Sequence, residues 1–115
     1  MHQFKSSASP YLCEITLDAS RGFSVSDVSI FKSKVERGVA VYGYTPNVLL
    51  CSKGAYGKWE SIGKFLVVLD TGKVSICGSG LTDSLFSLMQ GINPNIQLKY
   101  FDESQKAKAR AWLCT

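Results

Sequence analysis

The chain has 115 residues, 45% of them hydrophobic, and a net charge of +4 from 13 Lys and Arg against 9 Asp and Glu. That length and apolar content suit one domain with a real core and are too small for two. The longest apolar run, Phe65 to Leu69, is far below the roughly 18 residues of a bilayer span, so no membrane span is expected. The basic residues are scattered rather than gathered in a stripe with stacking aromatics, which argues against nucleic acid as a partner. Residues 1–10, MHQFKSSASP, lack the apolar core of a secretion signal. They are expected to form a flexible leader to a single domain at 11–115, in a cytoplasmic protein.

From Tyr11 to Leu17, Tyr11, Cys13, Ile15 and Leu17 alternate with Leu12, Glu14 and Thr16, the period of a strand. Asp18 to Gly22 is turn-like. Ser24 or Ser26 can cap a helix whose apolar positions Val28, Phe31, Val35 and Val39 recur at steps of three and four, with Gly43 as its stop. Val48 to Cys51 is continuously apolar, as in a central strand buried on both faces. Between Trp59 and Cys77 two readings stay open. Trp59, Ile62, Phe65, Leu66 and Leu69 have helical spacing, whereas FLVVL and KVSIC could pair as a hairpin across Asp70, Thr71 and Gly72. Lys73 to Gly78 is a strand either way, with Val74 and Ile76 facing together. A flexible Gly78-Ser79-Gly80 turn follows, then a helix from Thr82 or Asp83 with Leu85, Phe86, Leu88 and Met89 apolar, stopped by Gly91 and Pro94. The last stretch, IQLKYFDESQKAKARAWLCT, puts Ile96, Leu98 and Tyr100 on one strand face. It then breaks at Asp102, whose carboxylate suits a helix start, into an Ala-rich helix ending in Trp112 and Leu113. Strands alternating with helices predict an α/β layer fold.

GFSVSD opening a helix with Phe31 and Val35, then YG, VLL and a glycine loop with Trp59, resembles the SpoIIAA-like, or STAS-like, domains. LKYFDESQKAKARAWL looks like the closing strand and helix of the small stand-alone members. The resemblance covers about residues 11–113. It implies a mixed, mostly parallel sheet of four or five strands, the first antiparallel to the others, with covering helices. It also favours a crossover helix over a hairpin for Trp59 to Asp70. In STAS antagonists the loop after the third strand carries a DSxG-like phosphoacceptor. This chain has Cys51, Ser52, Lys53 and Gly54 in that region, without the Asp, and Ser52 reads more simply as a turn serine.

No catalytic constellation is visible. His2 is the single histidine and falls in the expected leader, so a Ser-His-Asp or Cys-His site has no base. Asp102 and Glu103 read as helix-capping carboxylates rather than an acid-base pair. Cys13, Cys51 and Cys77 sit in apolar runs, without the short spacing of metal or redox motifs, so buried free thiols and no metal or cofactor are expected. In open α/β sheets ligands gather beyond the carboxyl ends of the strands. That directs attention to Ser52, Lys53 and Gly54 after one strand and to Gly78, Ser79 and Gly80 after another, the latter able to offer amides to an anion. Tyr42, Tyr44, Tyr56 and Trp59 cluster nearby and can either line a pocket or partner surface or close the edge of the core. The expected function is a non-enzymatic binding or regulatory module with a protein partner, acting through Ser52, Lys53, Gly54, Tyr56, Trp59, Gly78, Ser79 and Gly80. The alternative is a carrier of a small apolar or lipid-like ligand beneath Trp59 to Leu69. A homodimer through the helix ending in Trp112, Leu113 and Cys114 is also expected.

Overall fold

The computed structural model describes residues 2–8, 11–18, 20–43, 46–67, 69 and 72–115, with the backbone alone at 6–8, 11, 42 and 53–55. Five strands form one sheet in the order in which they occur: β1 (Gln3–Ala8), β2 (Tyr11–Thr16), β3 (Asn47–Ala55), β4 (Gly72–Ser79) and β5 (Ile96–Asp102). β1 is antiparallel to β2, and every later pairing is parallel. The crossovers are α1 (Val25–Tyr42), a 3-10 turn (Trp59–Ile62) running into α2 (Gly63–Val67), and α3 (Asp83–Ile92). A second 3-10 turn (Glu103–Gln105) and α4 (Lys106–Leu113) close the chain. The fold is thus a mixed, mostly parallel α/β sheet with covering helices. Among the described residues, no helix is long and apolar enough to cross a membrane.

The expected leader requires correction. Residues 3–8 form β1 and pair along their length with β2, from Gln3 opposite Thr16 to Ala8 opposite Tyr11. Among the described side chains of this strand only Phe4 packs on the core, and its sequence, QFKSSA, has too little apolar alternation to be read as a strand. It is held largely by ladder hydrogen bonds along one edge. The antiparallel strand is therefore β1, and the strand read first in the sequence, β2, runs parallel to β3.

α1 begins and ends where its residues dictate. Ser24 Oγ accepts from the Asp27 amide at 3.2 Å, and Asp27 Oδ2 accepts from the Ser24 amide at 2.9 Å, a reciprocal capping box. Gly43 takes φ 80°, and its amide reaches the Val39 carbonyl at 2.8 Å. Phe31 is buried, with Val28 and Val35 packed beside it. Val39, expected on the same stripe, is 40% exposed, because the buried position on that turn is Gly38. Trp59–Val67 is helical rather than a hairpin strand, with Trp59, Ile62, Phe65 and Leu66 buried. Asn93 at the end of α3 donates to the carbonyls of Leu66 and Leu69, satisfying acceptors that the short α2 leaves open. α3 starts at a Thr82 cap and runs through Gly91 to Ile92. Leu88, one of its apolar positions, is 69% exposed. The proposed turn at Asp70 and Thr71 lies outside the described residues.

Two apolar layers sandwich the sheet. Cys13, Ile15, Val48, Leu50, Val74 and Ile76 point toward the crossover helices, where Phe31 and Phe65 meet edge to face with centroids 4.4 Å apart. Leu12, Leu49, Cys51, Cys77 and Phe101 point the other way, toward Ala109 and Leu113 of α4. β3 is thus central and buried on both faces, as its continuous apolar run implies. Asp102 caps the turn before α4 through the Ser104 amide, and Gln105 returns a bond to the Asp102 amide.

Candidate functional site

The residues expected to form a ligand surface do converge, but as packing. Tyr56 and Trp59 are 0% and 1% exposed, in edge-to-face contact at 5.0 Å. Both polar tips are used internally: the Tyr56 hydroxyl donates to the Arg21 carbonyl, and Trp59 Nε1 donates to the Ser79 carbonyl at 3.1 Å. Aromatic side chains with satisfied tips close the core edge and present nothing to a partner. Gly78 and Ser79 are the end of β4 rather than a turn. Gly78 is in register with Asp102 of β5, and its carbonyl accepts from the Tyr100 hydroxyl at 2.9 Å. The turn itself is at Gly80, with φ 89°. Thr82 Oγ1 takes the Leu85 amide, so that donor of the α3 start is used within the chain.

Ser52, Lys53 and Gly54 are likewise strand residues, not a loop. After the pair Cys51 and Cys77, the next matched pair is Ala55 and Ser79, so β3 bulges outward between them. Ser52 is 5% exposed, and a side-chain carbon added at Gly78 would lie 2.2 Å from its Oγ. The side chains of Lys53, Gly54 and Tyr42 lie outside the described residues, as does Tyr44.

The bulge opens a cleft instead, on the α4 side and at the carboxyl ends of the parallel strands. It has a volume of about 360 Å³ and is lined by Gln3, Thr16, Cys51, Ser52, Cys77, Glu103 and Lys106. Its floor is one transverse row of the sheet: Gln3 is in register with Thr16, Thr16 with Cys51, and Cys51 with Cys77. Of the sequence-predicted residues only Ser52 belongs to it. The others of the row escape a sequence reading because register between strands depends on crossover lengths, which no local pattern reports.

The charges around the cleft are paired. Glu14 Oε1 meets Lys106 Nζ at 2.6 Å, and its Oε2 meets Arg110 Nη2 at 2.6 Å. Burial pushes the Glu14 carboxyl up, but the Lys106 hydrogen bond and both cations outweigh it and hold the group below its ordinary range. The Glu14 bond in turn raises Lys106 against a smaller burial effect. Burial pushes the Cys51 thiol up to about 12 and raises Cys77 as well, Lys106 opposing in both cases. Both are therefore neutral thiols near pH 7, not nucleophiles. Cys77 Sγ donates to the Asp102 carbonyl at 3.3 Å. All four cysteines are free; Cys13, Cys51 and Cys77 are buried and Cys114 is exposed.

His2 lies in the opposite layer, stacked on Phe23 at 5.3 Å. Its Nε2 faces the Gly22 carbonyl at 3.0 Å, and its Nδ1 accepts from the Asp18 amide at 2.9 Å. The imidazole thus holds β1 to the start of α1 and is not available to the cleft. Among the described residues, no group of three or more His, Cys, Asp or Glu is placed to hold a metal ion. Of the residues expected at a dimer contact, Leu113 is buried, Trp112 is half-buried beneath the Lys73 and Lys99 ammonium groups at 5.3 and 5.8 Å, and Cys114 is exposed.

No protein-family model, no curated protein and no solved structure matches this chain.

Proposed function

We propose that the chain is a non-enzymatic binding or regulatory module of STAS-like type, and that it takes a segment of a protein partner in the cleft between α4 and the β1–β2 edge. The observation that carries this reading is the cleft itself. It is an opening of about 360 Å³ at the carboxyl ends of the strands, continued along α4 by a groove of about 510 Å³ beside Lys106, Ala107, Arg110 and Ala111. The groups around it bind rather than react: two protonated thiols, an amide, hydroxyls and paired charges, with the imidazole on the far side of the sheet. The mixed sheet with an antiparallel edge strand is of the class that the sequence resemblance implies, which supports the same reading. The carrier alternative has less support. The crevice beside Leu66, Met89 and Leu98 has no room for a water molecule, and Trp59, Ile62 and Phe65 fill the space below their segment.

The test is retention of a partner from the native cell by wild type and by two surface variants. Thr16→Trp fills the cleft floor, and Leu88→Ala alters the exposed outer side of α3. A stoichiometric partner kept by wild type and Leu88→Ala but lost by Thr16→Trp is expected. A partner held equally by all three, or none held by wild type, overturns the reading.

A further inference from the structure

Register brings together two thiols that lie far apart in the sequence. Cys51 and Cys77 are matched residues on adjacent parallel strands, point to the α4 side and border the cleft. Both are buried, Cys51 at 7% and Cys77 at 1% exposure. We propose that this pair is a two-coordinate site for a soft monovalent cation, copper(I), held between two thiolates. The apolar surroundings and wide spacing of these cysteines argue against metal binding in the sequence alone; the sheet removes the second objection and the cleft the first.

The spacing favours a bridging ion over a disulfide. Matched residues of neighbouring strands stand roughly 4.8 Å apart, whereas a disulfide needs its β-carbons about 3.8 Å apart, so closing one would pinch β3 against β4. An ion at roughly 2.3 Å from each sulfur, the zinc–thiolate distance, spans roughly 4.6 Å when the sulfurs lie opposite each other. That is close to the general spacing between neighbouring strands. The donor set makes the second argument. With no third ligand among the described residues, tetrahedral zinc and the oxygen-seeking calcium and magnesium are poorly served. Two sulfurs alone suit a soft d10 ion. Charge makes the third: a copper(I) bis-thiolate carries one negative charge, and Lys106 lines the same cleft. Binding exchanges two S–H bonds for two S–Cu bonds, 2 RSH + Cu⁺ → [RS–Cu–SR]⁻ + 2 H⁺. The protons pass to water and nothing is oxidised or reduced.

This inference rests on the cleft being open to solutes, as in the binding reading, but not on a protein partner. The full chain, reduced and kept anaerobic, is titrated with copper(I) against a chromophoric copper(I) chelator. One equivalent should be withdrawn from the chelator. Cys51→Ser and Cys77→Ser should each weaken binding by more than about 100-fold, since loss of outer-shell support alone costs roughly 10- to 100-fold. Cys13→Ser and Cys114→Ser should leave it unchanged. X-ray absorption of the loaded wild-type chain should show two sulfur neighbours, and this holds the proposal to account even where a serine variant fails to fold. Failure to compete with the chelator overturns it, as do retention by the Cys51→Ser/Cys77→Ser double variant, loss on Cys114→Ser, or a shell of three or more ligands. Partner retention is measured with chelator present, so each reading can fail by itself.

Discussion

Gly78 is the tightest point of the sheet's carboxyl edge, and replacing it tests how the bulge is held. A side-chain carbon there would stand 2.2 Å from Ser52 Oγ, 3.3 Å from Ser52 Cβ and 3.2 Å from Trp59 Cζ2. The first distance is impossible and the third is tight against an indole whose nitrogen is already bonded to Ser79. Gly78→Ala must therefore push Ser52 outward and strain Trp59. Overpacking of this kind costs about 1–3 kcal/mol, which at roughly 4 °C per kcal/mol lowers Tm by about 4–12 °C. Ser52→Ala removes the worst clash, so in a double-mutant cycle the pair should be less damaging than the sum of the singles by at least about 0.5 kcal/mol. Calorimetry or reversible urea unfolding of the four proteins measures this. A Gly78→Ala chain within about 0.5 kcal/mol of wild type, or strictly additive singles, would refute the account of the bulge.

Ser24→Ala removes the side-chain half of the α1 capping box and should cost about 1 kcal/mol by urea unfolding. Gly91 lies in α3 with open space around its α-carbon, so Gly91→Ala should stabilise by about 0.5–1 kcal/mol in the same assay. Glu14 is held below its ordinary pKa of 4.5, so its contribution is complete above that value and is lost as the pH falls through and below it. Wild type should therefore exceed Glu14→Gln by up to about 1 kcal/mol at neutral pH, with the gap closing in acid. Lys106 is raised above 10.5, so its share persists below that value and fades as the pH climbs past it. Cys114 is exposed, while Cys51 is buried and its pKa is pushed up to about 12. Iodoacetamide near pH 7 should therefore modify Cys114 at least about tenfold faster, read by mass spectrometry of peptides.

Features specified by neighbours in sequence were legible. The Ser24 start and Gly43 stop of α1, the doubly buried run at Val48 to Cys51, and the Asp102 break before the last helix all depend on a few adjacent residues, and the structure has them. Features specified across the sheet were not. β1 offers one packed aromatic, Phe4, among polar residues, and becomes a strand because β2 supplies a ladder. Ser52 to Gly54 read as a loop because small polar residues usually are one; the partner strand turns them into a bulge. For Tyr56 and Trp59 the sequence left a partner surface and the core edge both open, because their polar tips need acceptors. Those acceptors are carbonyls of Arg21 and Ser79, too far along the chain for a local pattern to reveal.

The same distinction explains where a ligand can sit. Ligands of open α/β sheets usually occupy the crevice where strand order reverses. Here the order advances from β1 to β5 without reversal, so the three crossovers share one face and no such crevice forms. The other face is covered by the Glu103–Gln105 turn and by α4, eight residues or roughly 12 Å of helix, about 10 Å wide. The five strands spread over roughly 19 Å. α4 packs on β3, β4 and β5; Leu12 of β2 still joins the layer under it, and beyond Leu12 the same side of β1 and β2 carries Gln3, Lys5, Glu14 and Thr16. A step results between the helix and these polar strand residues. The β3 bulge deepens it at the carboxyl end, and Lys106 and Arg110 fasten the helix across it to Glu14. Binding in this architecture belongs at that step, and shortening the Lys106 and Arg110 side chains to alanine should loosen α4 and change the cleft while the opposite layer, with Phe31 and Phe65, keeps its packing.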